Sequence, residues 1–136
     1  MIVDTSAVLA ILFNEVDAPQ YAQAIATTAG CKMSAANWLE AAINVDHRGH
    51  PTAGRDLDTL IERAQITIEP VTLAQVHIAR QAYVDYGKGR HPAGLNFGDV
   101  FAYALAKFTG EPLLFKGNDF PQTDIEVFPL NRYAPE

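Results

Sequence analysis

The chain has little cysteine, little tryptophan and few basic residues, and the shortages narrow the classes of protein open to it. A single cysteine, Cys31, excludes an internal disulfide framework and suits a reducing compartment. It reads as a small buried residue entering a short strand. Ten Lys and Arg against sixteen Asp and Glu leave a net charge of −6, the wrong sign for a protein that binds nucleic acid by bulk electrostatics. No uninterrupted apolar run approaches the roughly 20 residues that span a bilayer. No secretory leader is expected, because Asp4 and then Asn14-Glu15 interrupt the N-terminal apolar stretch with no basic region ahead of it. Internal repeats, linkers and low-complexity segments are missing too. What is there is 136 residues, 49% of them hydrophobic, enough for one domain with a packed core.

Apolar periodicity and capping residues order the elements. Residues 1–4 read as a strand feeding a helix over 5–13, with a second helix over 17–28 that Gly30 ends. Lys32-Met33 is a short extended piece, after which Ser34 caps an Ala-rich helix running to residue 46, and Pro51 closes that section. A helix over 52–64 places Leu57, Leu60, Ile61 and Ala64 at helical spacing, and residues 66–71 alternate as a strand. Thr72 and Gln75 have the spacing of a capping box for a helix ending at Tyr86-Gly87. Beyond a polar loop, Phe97, Val100, Phe101, Ala104, Leu105 and Phe108 form the clearest amphipathic stripe in the chain. Gly110 stops that helix, residues 112–115 and 125–130 read as two strands around a Gly117-Asn118-Asp119 turn, and residues 131–136 as a loosely held tail. Strands alternating with helices predict an α/β fold with a parallel, doubly wound sheet.

Four acids stand out against this frame: Asp4, Glu40, Asp99 and Asp119. Each has a structural reading. Asp99 with Asn96 makes a helix cap, Asp119 is a turn residue, Glu40 is a solvated helix residue, and Asp4 caps the first helix. Together they suggest something else, because Asp4, Asp99 and Asp119 fall where a strand or helix end meets the carboxyl edge of the sheet, the edge at which open α/β sheets bind ligands. Glu40 can reach inward from a helix beside it. Carboxylates packed so closely repel one another, and a divalent cation relieves that repulsion. Carboxylate ligation without a Cys or His cluster suits Mg²⁺ or Mn²⁺ and argues against zinc. Those ions commonly serve phosphoryl transfer, which makes a metal-dependent phosphodiesterase the natural hypothesis.

Ile2-Val3-Asp4-Thr5-Ser6-Ala7, the Glu40 helix, residues 95–104 around Asn96 and Asp99, and residues 113–120 ending in Asn118-Asp119-Phe120 together resemble the PIN-domain ribonucleases, specifically VapC toxins of bacterial toxin–antitoxin systems. The likeness runs through the whole chain in the family's order. It implies a single PIN-like domain over residues 1–136, with a central twisted parallel sheet of four to five strands flanked by helices. It also implies a Mg²⁺- or Mn²⁺-dependent endoribonuclease in which Asp4 and Asp99 bind metal, Glu40 completes the site directly or through water, and Asp119 is a further ligand. Many family members carry another acid just before this Asp-Phe pair, where Gly117 and Asn118 stand here, so a three-acid site or a weaker second metal is left open. Thr5 or Ser6 would orient Asp4, and Asn96 would contact a metal-bound water or substrate alongside its capping role. The resemblance further implies a cytoplasmic homodimer, a structured RNA substrate such as transfer RNA, and a VapB-type antitoxin.

Lys88, Arg90 and His91, in the loop before the Asp99 helix, read either as RNA phosphate contacts or as a solvated loop, and Lys116 as a further phosphate contact. No Walker spacing is present. His47, His50 and His77 show no pairing of the kind a metal-free ribonuclease needs. Trp38 reads as a core or subunit contact and Tyr103 as lining the site or packing. One alternative is an inactive PIN-like module that binds RNA or antitoxin. A phosphate-accepting aspartate is a weaker one, since a dehalogenase-like phosphatase would have an acid where Ser6 stands.

Overall fold

The structure, a computed structural model, describes residues 1–130. The tail expected over residues 131–136 lies outside the described residues. Strands β1 (Ile2–Val3), β2 (Lys32–Ser34), β3 (Thr67–Glu69) and β4 (Leu113–Leu114) form one parallel sheet in the order β3-β2-β1-β4. Ile2 is in register with Lys32 on one side and Leu113 on the other, and Met33 with Ile68. Helices α1 (Thr5–Leu12), α2 (Ala18–Ala26), α3 (Ala35–His47), α4 (Ala53–Arg63), α5 (Leu73–Tyr86) and α6 (Phe97–Thr109) cover it.

The pleat decides which helices share a core. Val3, Met33 and Leu114 pack with α1 to α4, whereas Ile2 and Leu113 pack with α5 and α6. Both faces are therefore covered, so the central strands read as unbroken apolar runs rather than alternating ones. Ile2, Val3, Leu113 and Leu114 are fully buried, each contributing about 1.5–3 kcal/mol. On α6 the small residues Ala102, Ala104 and Ala106 are buried beside Leu105, and Gly110 ends the helix at φ 70°. Trp38 is half-buried against the first of these cores, and Cys31 is buried where the chain enters β2.

The fifth strand expected over residues 125–130 contracts to one parallel bridge between Val127 and Leu113. Leu113 makes both bonds, donating to Glu126 O and accepting from the Phe128 N–H, each at 2.9 Å. The chain then folds back through Leu130 N–H to Phe128 O at 2.8 Å, which ends the ladder. Thr72 caps α5 by accepting from the Gln75 N–H at 3.3 Å.

The two edges of the sheet carry different charge. At the amino edge Glu111 accepts from both the Met1 ammonium and the Lys32 ammonium, so positive and negative charge are paired there. The carboxyl edge is where the acids gather.

Candidate functional site

Asp4 follows β1 and caps α1, and 4% of it is exposed. Its Oδ2 accepts from the Ser6 N–H at 3.1 Å and the Ser6 hydroxyl at 2.6 Å, while the same hydroxyl accepts from the Lys116 N–H at 2.9 Å. Ser6 thus fixes the Asp4 carboxylate against the segment leaving β4. Thr5, the other residue expected to orient Asp4, instead donates its hydroxyl to Asn37 O at 3.1 Å, tying α1 to α3.

Asn96 and Asp99 form a reciprocal capping box at the start of α6, with Asn96 Oδ1 accepting from Asp99 N–H at 2.9 Å and Asp99 Oδ2 from Asn96 N–H at 3.0 Å. The structural and functional readings of Asp99 are compatible, because a carboxylate has several acceptor sites and the box occupies one oxygen. Asp119 is exposed at the start of a short 3-10 turn (Phe120–Gln122) and makes no side-chain capping bond there, so its carboxylate does not serve the turn.

Glu40 lies one turn into α3, half-buried, with its carboxylate against the backbone of Gly98 on α6. A Cβ at Gly98 would fall 2.0 Å from Glu40 Oε2, so only glycine permits this approach. Between them stands Asn37, fully buried, whose Nδ2 donates to Gly98 O at 2.9 Å and lies 3.4 Å from Glu40 Oε1. Neither Asn37 nor Gly98 was singled out from the sequence. The spacing of Asn37 and Glu40, three apart on one helix face, was the only available hint.

Asp4, Glu40 and Asp99 lie within electrostatic reach of one another, and Asp119 within reach of Asp99. Burial pushes Asp4 up from 3.8 to about 7 against the opposing Ser6 hydrogen bonds, and Asp99 and Glu40 repel it further. Burial also raises Asp99, opposed by the Asn96 N–H and assisted by repulsion from Asp119 and Glu40. Such charge is relieved by a cation, and an all-oxygen donor set fits a hard one. Among the described residues no group of three or more acidic, histidine or cysteine side chains is placed closely enough to hold a metal ion.

The basic residues divide. Lys88 and Arg90 are exposed in a loop whose ends are clipped by Lys88 N–H to Leu95 O and Leu95 N–H to Tyr86 O, each 2.9 Å. His91 braces that loop, its Nδ1 accepting from the Ala93 N–H at 3.0 Å and its ring meeting Tyr86 edge-on. Lys116, expected to face phosphate, is instead held by Glu15 at 3.1 Å and Asp17 at 3.0 Å, because the turn between α1 and α2 brings both acids to it. Tyr103 does not line the site: it is buried in the core beneath α6 and donates its hydroxyl to Asp124, which also pairs with Lys107.

A small parallel α/β domain with carboxylates gathered at the carboxyl edge is the arrangement of a PIN domain, and the sequence matches the PIN domain family over residues 1–126. Ribonuclease VapC28 of Mycobacterium tuberculosis is 53% identical over 127 residues, 93% of this chain and 96% of that protein. Ribonuclease VapC of Mycolicibacterium smegmatis is 49% identical over 125 residues, 92% and 97% of the two chains. In structure, Mycobacterium tuberculosis VapC20, a sarcin-ricin loop cleaving toxin, superposes with a TM-score of 0.74 at 17% identity, covering 94% of this chain and 98% of its own. The chain belongs to the PIN-domain family and, within it, to the VapC ribonucleases.

Proposed function

We propose that this VapC ribonuclease is the toxin of a type II toxin–antitoxin system, an endoribonuclease that hydrolyses RNA phosphodiester bonds with Mg²⁺ or Mn²⁺ held by Asp4, Glu40, Asp99 and Asp119. The observation that carries the reading is that Asp4, buried at the carboxyl edge and raised to about 7 mainly by that burial, also lies within electrostatic reach of Asp99 and Glu40, as Asp99 does of Asp119. When bound, the cation supplies an activated water and offsets the charge that builds on the phosphate and the leaving oxygen. Ser6 holds Asp4 in orientation, and the capping box holds Asp99. Asp119, exposed at the rim, completes the set.

Lys88, Arg90 and His91 contact substrate phosphates, which gives an acidic chain a local patch of the right sign. The substrate is a structured RNA such as transfer RNA, as the family resemblance implies. The partners are a VapB-type antitoxin and a second copy of the chain, in the cytoplasm. Among the described residues no helix is long and apolar enough to cross a membrane. Two apolar grooves meeting at Phe97, which is 79% exposed, support the partners. One, of about 520 Å³, includes Leu39, Ile43 and Glu40, so a segment lying there reaches the acidic edge. The other, of about 370 Å³, includes Val76 and Tyr83.

The test incubates purified, antitoxin-free protein with total RNA in Mg²⁺ or Mn²⁺, beside an EDTA control and Asp99→Asn. Asparagine keeps an oxygen to accept from the Asn96 N–H, so the helix start is retained while the charge is lost. Discrete new ends that need both metal and Asp99 are expected. Identical RNA in all samples, or cuts that survive EDTA and the substitution, would overturn the assignment.

A further inference from the structure

We propose that Asn37 is a positioning residue which, with Gly98, sets the Glu40 carboxylate over the first turn of α6. The inference rests on the assignment of Glu40 to the metal site. Asn37 is fully buried, yet it is an amide, and burying an amide is unfavourable unless its hydrogen bonds are met. Its Nδ2 faces two acceptors, Gly98 O at 2.9 Å and Glu40 Oε1 at 3.4 Å, which settles which end of the amide is nitrogen. Its Oδ1 is buried with no hydrogen-bond partner. A side chain kept there only to fill space would be better as leucine, which leaves no orphaned oxygen. The donor end of the amide is what the position uses.

The geometry shows what that donor does. Asn37 and Glu40 share one face of α3, and the stronger bond of Asn37 crosses to α6 at the residue against which Glu40 lies. The Asn37 carbonyl is anchored in turn by the Thr5 hydroxyl, directly after Asp4. One buried amide therefore ties the Glu40 helix to the Asp99 helix, with its own backbone held to the Asp4 helix. Gly98 supplies the space: any side chain there would meet Glu40 Oε2 at 2.0 Å and Cδ at 2.7 Å. Among the described residues no other hydrogen bond holds the Glu40 carboxylate at Gly98 rather than in solvent.

Two variants approach the arrangement from opposite sides. Asn37→Leu keeps the number and branching of the side-chain heavy atoms and removes the donor. Gly98→Ala leaves Asn37 in place and favours the helix backbone, while its Cβ displaces the carboxylate, the mobile end of a flexible side chain. Metal-free crystal structures of wild type and both variants are compared, and Mn²⁺ binding is measured by calorimetry for these, for Glu40→Gln, for Asn37→Leu combined with Glu40→Gln, and for Asp99→Asn. Glu40 is expected to leave Gly98 in both variants, and Mn²⁺ affinity to fall roughly 10- to 100-fold, as when the partners of metal ligands are lost. In the Glu40→Gln background, Asn37→Leu is expected to add no further loss.

A Glu40 carboxylate that stays at Gly98 in Asn37→Leu overturns the proposal, as do losses that multiply across the double variant. If Asn37→Leu does not fold, Gly98→Ala decides alone, and Mn²⁺ affinity equal to wild type overturns it. Wild-type protein that binds no Mn²⁺, or an Asp99→Asn variant that binds it equally, instead defeats the metal assignment; the crystal comparison still decides whether Asn37 sets Glu40.

Discussion

Ser6 donates twice to a single oxygen of Asp4, through its backbone N–H at 3.1 Å and its hydroxyl at 2.6 Å, and so leaves the other carboxylate oxygen for a ligand. Because the hydroxyl also accepts from the Lys116 N–H, Ser6→Ala removes one charge-assisted bond and strands a backbone donor. The expected cost is about 1–3 kcal/mol in chemical denaturation. A fall of about tenfold in Mn²⁺ affinity by calorimetry should accompany it. Unchanged metal affinity in the variant would show that Ser6 serves the fold alone.

Burial makes the metal-free protein sensitive to pH in a defined direction. Folded Asp4 holds its proton to about pH 7, whereas the unfolded chain releases it near 3.8. Between those values the folded state binds the extra proton, so this contribution to stability is present at low pH and is lost as pH rises through the window. In EDTA, wild type should lose more stability than Asp4→Asn between pH 5 and pH 8, measured by urea denaturation. Mn²⁺ affinity should rise over the same range, because binding must displace that proton. Parallel pH profiles for the two proteins would contradict the account.

The capping box makes a prediction that separates fold from site. Asn96→Ala removes the acceptor for the Asp99 N–H and should cost about 1 kcal/mol of stability. Asn96→Ser keeps a capping oxygen and should recover most of it. If Asn96 also contacts a metal-bound water or the RNA, the serine variant will regain melting temperature without regaining the cleavage rate.

Lys88 and Arg90 are free to meet phosphate, whereas Lys116 is engaged by two carboxylates. Replacing Lys88 or Arg90 with alanine should weaken RNA binding and flatten the slope of log affinity against log salt by roughly 0.7–0.9 per lost contact. Lys116→Ala should leave that slope as it is. Its ion pairs are half-exposed, so a stability loss within about 1 kcal/mol is expected. A reduced salt slope in Lys116→Ala would return that residue to the RNA-binding surface.

How much of this was legible in the sequence depends on the range of the cause. Helix starts and stops were readable because their signals are local: Ser34, Thr72 and Asn96 each cap within three residues of themselves, and Gly110 adopts its left-handed turn at the residue that ends α6. The order of elements and the parallel α/β class followed from periodicity, since a face must be apolar to be buried. Asp4, Asp99 and Asp119 were visible as acids at element ends, and Glu40 as an acid within a helix. Tertiary packing decided the rest. Asn37 reaches Gly98 across 61 residues and Lys116 finds Glu15 across 101, pairings that depend on which helices share a layer. Tyr103 turned to Asp124 beneath α6, and the last strand shrank to one bridge because the chain folds back after Phe128. Residue type and local spacing set what each segment becomes and which acids are present; only the folded chain determines which carboxylates lie close enough to repel, because that repulsion depends on distance and burial together.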